Sequence, residues 1–276
     1  MSSLINALPT APRILHRTGV GAAAGVLQRQ MLAFRRLVIA QPLLIVVERG
    51  EKAVRWDGGE CLVRAGEAVA IAGGQALDIE NRPDGATYRA FWLAWDAALL
   101  ARHAAAQTAA RQISRVAPLR RLPSGFVESA KAMMAALDNA ELPQPLAAHR
   151  AAEMLHWLDA CGCGLAPAEV ATLTQRVRQL VGGDLARAWL APDVASRLAM
   201  SEATLRRKLA DEGGSLSAIL ADARLSFALT LLQATTQPVA QIALAVGYQS
   251  PSHMTMRFRR RFGFPPSAIR EAVRQA

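Results

Sequence analysis

The constraint that most narrows the fold is a pattern that occurs twice between residues 192 and 270. Ser201 is followed by Leu205 and Leu209, and Ser250 by Met254 and Phe258. Each is an N-cap residue with apolar residues four and eight positions later, which describes a short helix with one buried face. A shorter apolar helix precedes each cap: Val194-Ala195-x-x-Leu198 in one copy, Ile242-Ala243-x-x-Val246 in the other. The small alanine lets the two helices cross closely. Two helices joined by a tight turn, the second with an exposed basic face, form a unit shaped for the DNA major groove. Two such units in one chain can address two groove segments without a partner subunit.

Charge agrees with this in sign. The chain of 276 residues carries 32 Lys and Arg against 22 Asp and Glu. All the basic residues but Lys52, Lys131 and Lys208 are arginine, the better bidentate partner for phosphate and guanine. Residues 184–276 hold 12 basic and 7 acidic residues, so this third of the chain supplies half of the net +10. The length suits two domains. The first 20 residues, with Pro9, Pro12, Arg13 and Arg17, have no continuous apolar stretch of a secretory signal. The apolar run Leu37–Val47 is split by Gln41-Pro42 and is too short to span a membrane. Three cysteines, Cys61, Cys161 and Cys163, do not make a disulfide framework. These features point to a cytoplasmic protein.

Residues 30–95 read as strands. Leu43–Val47 is a buried strand; Ala53–Trp56 and Cys61–Val63 flank an Asp57-Gly58-Gly59 turn as a hairpin. Ala68–Ile71, Leu77–Ile79 and Tyr88–Trp95 follow, separated by Gly- and Pro-containing turns. Short strands at such intervals predict a small barrel or sandwich. From Ser124 the period changes to that of a helical hairpin: Phe126, Ala130, Met133, Met134 and Leu137, then Ala151, Met154, Leu155 and Leu158. The expected organisation is therefore α+β. A strand-rich domain with a helical hairpin covers 1–160, a linker 161–168, and an all-helical domain with two helix-turn-helix units 169–276.

In the second unit, Gly247 suits a left-handed turn and Pro251 the first helical position after Ser250. With Met254 and Phe258 inward, Ser252, His253, Thr255 and Met256 are candidates for base edges, and Arg259 and Arg260 for phosphates. In the first unit, Glu202, Ala203, Thr204, Arg206 and Arg207 are the groove-facing candidates, with Lys208 nearer the rim. Arg206 and Arg207 are the guanine candidates. Asp211 and Glu212, farther along, are expected to repel phosphate. The first unit should thus read more sequence and the second anchor more backbone. An amphipathic helix over 217–233 joins them, with Ile219, Leu220, Leu225, Leu229 and Leu232 on its apolar side.

The run Gly213-x-Ser215-Leu216-x-x-Ile219-Leu220-x-x-x-Arg224-Leu225-x-x-Ala228-x-x-Leu231-Leu232 completes the pattern. With Ile242-Ala243, Gly247-Tyr248, Phe258 and Gly263-Phe264-Pro265-Pro266-x-x-Ile269-Arg270, it closely resembles the AraC/XylS family of transcription regulators over residues 170–272. Trp189 and Met200-Ser201 are similar to the subgroup of bacterial virulence and acid-stress regulators. Three positions depart from the family pattern: Met254 stands for the usual Phe, Met256 for a frequent Arg, and Ile269 for Tyr. The resemblance implies a transcription activator on double-stranded promoter DNA, with RNA polymerase as partner. It also implies a cupin-like N-terminal barrel that senses an effector or dimerises; the apolar helices of 124–160 are the candidate dimerisation surface, and packing on the barrel gives the same pattern. The alternative on the same resemblance is control by a protein partner without a small effector.

An enzymatic barrel with a DNA-binding tail is the rival class. Metal-dependent cupins draw histidine ligands from adjacent strands, and none of His16, His103, His149, His156 and His253 lies between residues 17 and 102. Cys161-x-Cys163 lacks further ligands in sequence. No catalytic residue, metal or cofactor is therefore expected. Arg35, Arg36, Arg55 and Arg64 are candidate cations for a small acidic, apolar effector, set against their reading as surface strand residues.

Overall fold

The computed structural model describes residues 13–85, 87–106, 112–167 and 172–274. The chain divides into two compact units, the first made mainly of residues 1–168 and the second of residues 169–270. The predicted boundary at 168/169 and the prolines Pro9 and Pro12 lie outside the described residues.

Among the described residues of the first unit, ten strands form two antiparallel sheets. The strands are β1 (Ile14–Arg17), β2 (Gly21–Gln28), β3 (Leu32–Ile39), β4 (Leu43–Arg49), β5 (Glu51–Trp56), β6 (Gly59–Arg64), β7 (Ala68–Ile71), β8 (Gln75–Arg82), β9 (Tyr88–Trp95) and β10 (Val116–Leu119). One sheet has the order β1-β2-β9-β4-β7-β10, the other β3-β8-β5-β6. The Asp57-Gly58 turn closes the β5–β6 hairpin, Trp56 facing Gly59 across it, with Gly58 at φ 92° as a two-residue hairpin requires.

Strand alternation divides the larger sheet between two cores. Leu44 and Val46 of β4, Ala68 and Ala70 of β7, and Phe91, Leu93 and Trp95 of β9 share one core with three helices. These are α1 (Ala97–Ala106), α2 (Phe126–Asp138) and α3 (Gln144–Ala160). The intervening Ile45, Val47, Val69, Ile71 and Tyr88 are buried too and face the opposite way; Phe34, Val54, Val63 and Leu77 of the smaller sheet are also buried.

The apolar faces of α2 and α3 are spent inside this unit. Phe126, Ala130, Met133, Met134, Ala151, Met154, Leu155 and Leu158 all pack on the sheet core. The periodicity expected of a dimerisation surface therefore arises from intramolecular packing. Arg17 holds the hairpin turn: it donates to the carbonyls of Ala136 (3.1 Å), Asn139 (3.0 Å) and Leu142 and to Gln144 Oε1 (2.8 Å). Those carbonyls at the end of α2 and in the turn beyond it have no intrahelical partner to accept from. The segment read as a linker from 161 is structured through Leu165: Cys163 and Leu165 are buried in the same core, and the Ile113 amide donates to Gly164 O.

The second unit is helical: α4 (Leu173–Gly182), α5 (Ala191–Arg197), α6 (Glu202–Asp211), α7 (Leu216–Ala234), α8 (Val239–Ala245), α9 (Pro251–Phe262) and α10 (Pro266–Arg274). Val177, Val181, Val194, Ala195, Leu205 and Leu209 form the first core, joined by Ile219 and Leu220 from α7. Met254 and Phe258 of α9 are fully buried, with Ile242 and Ala243 of α8. Among the described residues, α7 alone is long and apolar enough to cross a membrane by length and composition. Its leucines 225, 229 and 232 are buried within the protein.

Candidate nucleic-acid interface

The two helix-turn-helix units use one turn. In the first, the Met200 amide donates to Ala195 O (3.0 Å) and the Ala199 amide to Ser196 O (3.1 Å). In the second, Tyr248 donates to Ala243 O (2.9 Å) and Gly247 to Leu244 O (3.0 Å). Both are Schellman motifs at the same offsets, closed by a residue with positive φ: Ala199 at 54° and Gly247 at 82°. The extra residue of the second turn, Gln249, therefore falls between the shared motif and the cap. The caps also match. Ser201 Oγ accepts from the Thr204 amide (3.2 Å) and Ser250 Oγ from the His253 amide (3.1 Å).

What surrounds the two turns differs. A Cβ on Gly247 would lie 2.5 Å from Leu185 O and 2.8 Å from a terminal nitrogen of Arg224. Arg224, on α7, donates from Nε to Leu185 O (3.0 Å) and from Nη2 to Arg187 O (2.8 Å). The second turn is thus seated against the loop that leads into the first helix-turn-helix, within the same helical unit. Asp222, two residues before Arg224, accepts from Arg178 of α4 (2.8 Å) and from Arg261 of α9 (2.7 Å). The two arginines are only 17% and 22% exposed, so solvent screens this bridge incompletely. Trp189 completes the scaffold. Its indole N–H donates to Asp184 O (2.8 Å), and Arg187 and Arg197 lie over its ring at 4.7 and 5.3 Å.

With Arg178, Arg224 and Arg261 held inward and Arg187 and Arg197 laid over Trp189, the outward faces are those of α6 and α9. On α6, Glu202, Ala203, Arg206, Arg207 and Lys208 are exposed and Thr204 half-buried, while Leu205 and Leu209 are in the core. On α9, Ser252, His253, Met256, Arg259 and Arg260 are exposed and Thr255 half-buried. Pro251, Ser252, Thr255, Met256, Arg259 and Arg260 line one shallow surface recess. Arg206, Lys208, Arg259 and Arg260 have no side-chain hydrogen bond or ion pair among the described residues. Arg207 has only a 3.9 Å approach to Asp211, both well exposed. His253 is less free, since its Nε2 accepts from Arg257 (3.2 Å) and its ring meets Tyr248 edge-on.

Glu212, expected to repel phosphate, has other work. Its carboxylate accepts from the Leu173 and Thr174 amides, each at 2.8 Å, at the start of α4. Thr172 and Gln175 form a reciprocal capping box there, so all four leading amides of α4 are satisfied. Partial desolvation opposes the charge on Glu212, but the donors from Thr174 and Leu173 outweigh it and hold the carboxyl below its ordinary range.

In the first unit the arginines named as effector cations are surface residues. Arg55 pairs with Glu60 and Glu80, Arg64 with Glu51, and Arg35 and Arg36 are exposed. Among the described residues the buried basic side chain is that of Lys52. Its Nζ donates to Asn81 Oδ1 (2.5 Å) and lies 5.4 Å from the centre of the Tyr88 ring, with no ion-pair partner among the described residues. Asn81 donates in turn to Gln28 Oε1 (3.0 Å), so the polar chain joins the two sheets. Burial lowers the Lys52 pKa to about 7 and drives that of Tyr88 upward. The Tyr88 hydroxyl is buried without a hydrogen-bond partner among the described residues. Alternation along β5 contained this signal, because Lys52 shares its strand face with Val54.

A family model described as a helix-turn-helix domain matches residues 194–272. The transcriptional regulator SirC of Salmonella typhimurium is 38% identical over 95 residues, 34% of this chain and 32% of that protein. The HTH-type transcriptional regulator GadX of Escherichia coli O6:H1 is 32% identical over 100 residues, 36% of each chain. The chain thus matches about a third of the length of these curated relatives. Over most of its length the fold is similar to that of ToxT from Vibrio cholerae in its unsaturated-fatty-acid-bound form. That comparison has a TM-score of 0.63 at 12% identity and covers 91% of this chain and 95% of that one. Residues 194–272 accordingly form a helix-turn-helix domain, and the α+β architecture expected from the sequence is borne out.

Proposed function

We propose that this protein is a cytoplasmic, sequence-specific DNA-binding regulator of transcription, an activator that works with RNA polymerase. Its first unit senses a small acidic, apolar effector. The observation that carries the DNA-binding reading is the sorting of the arginines. Those at 178, 187, 197, 224 and 261 serve the scaffold, while Arg206, Arg207, Lys208, Arg259 and Arg260 are left on the two outward helix faces. Arg206 and Arg207 lie in the middle turns of α6, where a planar guanidinium reaches the O6 and N7 of guanine. Arg259 and Arg260 sit toward the end of α9, where phosphate contact is the nearer chemistry. Selection of bound sequences from a random DNA pool, followed by fluorescence anisotropy on the selected site, tests this. A single enriched motif with steeply salt-dependent affinity is expected, and failure to enrich any motif refutes it.

The effector reading rests on Lys52, an ammonium in an apolar setting that an acidic ligand would neutralise. The fatty acid held by the ToxT fold belongs to the same chemical class. Replacing Lys52 with Met is expected to abolish the response to added fatty acid while DNA binding without effector persists. An unchanged response refutes it. The same variant reports the cost of the buried charge. The folded-state pKa of about 7 lies below the unfolded value near 10.5, so between them the unfolded chain holds more protons. Stability therefore rises with pH through that window and is lowest below pH 7. Lys52→Met should flatten the rise and stabilise the protein at pH 6 by about 1–4 kcal/mol in urea titrations.

A further inference from the structure

Two of the three histidines in the helices packed on the sheets, His103 and His156, converge although they are 53 positions apart in sequence. His103 lies in the last turn of α1, and His156 and Asp159 share a face of α3 at i and i+3. Leu99 and Leu100 of α1 sit in one core with Leu155 and Leu158 of α3, which brings the polar edges of the two helices together. His103 Nε2 lies 2.6 Å from Asp159 Oδ2, and the His103 and His156 rings meet edge to face with centres 4.7 Å apart. One ligand atom from each residue lies within 4.8 Å of the others. The His103 side chain is 7% exposed and that of Asp159 14%, while His156 opens to solvent.

A hydrogen-bonded pair accounts for His103 and Asp159 but not for the second imidazole. Asp159 satisfies one ring, and His156 has no protein hydrogen-bond partner among the described residues. Two imidazoles and a carboxylate are the donor set of borderline divalent ions. Bonds of about 2.0–2.2 Å in tetrahedral geometry place ligand atoms about 3.3 Å apart. The observed spacings bracket that value and close onto it by side-chain rotation. We propose that His103, His156 and Asp159 form a binding site for a divalent transition-metal ion of the zinc class, with the solvent side of His156 as the entry path and water as the remaining ligand. Occupancy would fasten the end of α1 to α3 and give the first unit an input separate from Lys52. The expectation of no metal site rested on the lack of strand histidines and on the incomplete Cys161-x-Cys163 pair; this site is built on helices and uses neither. It stands independently of the DNA-binding reading.

The test uses tag-free full-length protein stripped with chelator, then titrated with Co2+ as an optical probe and with Zn2+ in competition. One equivalent of Co2+ should bind with visible d–d absorption, without thiolate charge transfer, and be displaced by Zn2+. His156→Ala removes a ligand while leaving the His103–Asp159 contact, and Asp159→Asn keeps a hydrogen-bond acceptor for His103 while removing the anion. Each should weaken binding by about tenfold or more, since even outer partners of metal ligands are worth about that much. The melting temperature without metal should hold. No binding by the wild-type protein overturns the proposal, as does wild-type affinity in both variants. A thiolate-to-cobalt band, placing the ion on Cys161 or Cys163, overturns it as well.

Discussion

The two helix-turn-helix units share their hydrogen bonds but not their surroundings. Each turn is a Schellman motif with a serine cap after it. The first places Ala199 in the left-handed region, where a Cβ costs about 1–2 kcal/mol. The second uses glycine, which backbone preference alone would explain, yet Gly247 is also a contact point: Leu185 O and Arg224 occupy the space a side chain would need. The same local geometry therefore rests on tolerance in one unit and on necessity in the other. The outer faces diverge likewise. The first unit presents Arg206 and Arg207 at offsets where the second presents Thr255 and Met256.

The sharpest way to break this comparison is Gly247→Ala. The left-handed penalty and the clash with Leu185 O together should destabilise the second unit by about 2–4 kcal/mol in denaturant titrations. Neutral behaviour would mean that the turn has slack. Next in size is the division of labour on DNA. Arg207→Ala should cost about 1–3 kcal/mol on the selected site and relax one base position, while Arg259→Ala weakens all sequences alike and lowers the salt slope by about one. Equal loss of specificity in both variants would erase the asymmetry. Asp222→Asn follows, expected to cost about 1–2 kcal/mol, less than a fully buried pair because its partners are partly exposed. Smallest is Ala199→Gly, which should stabilise the first unit by about 0.5–1 kcal/mol through relief at positive φ. Melting curves read both sign and size.

Legibility in the sequence followed side-chain type. β7 and β9 run over the residues that branched and aromatic side chains predicted. β2, with the sequence GAAAGVLQ, went unread because alanine and glycine carry no strand signal. Its Ala23 is fully buried in the core shared with α2, which packs against the strand, so a small residue there serves close approach and not propensity. α1 was missed for a related reason: it is a short alanine-rich segment between the strands and the hairpin. Without α1, His103 had no address, and its meeting with His156 and Asp159 could not be foreseen. The outward residues of α6 and α9 were legible because two buried positions fix every other position on a helix. Inward arginines such as Arg224 and Arg261 were not, since a guanidinium on a helix reads as surface until its carbonyl or carboxylate partner is known.

The seat of Gly247 against Leu185 and Arg224 has a consequence for dynamics. Two helix-turn-helix units joined by one long helix would ordinarily open independently, each with its own free energy. Here Arg224 holds the loop leading into the first unit while filling the space beside the second turn. Opening either turn therefore uncovers groups belonging to the other. The amides of Gly247 and Tyr248 should then exchange with solvent deuterium in step with those of Leu205 and Leu209, as one cooperative unit, and the two recognition helices would meet DNA as a single body.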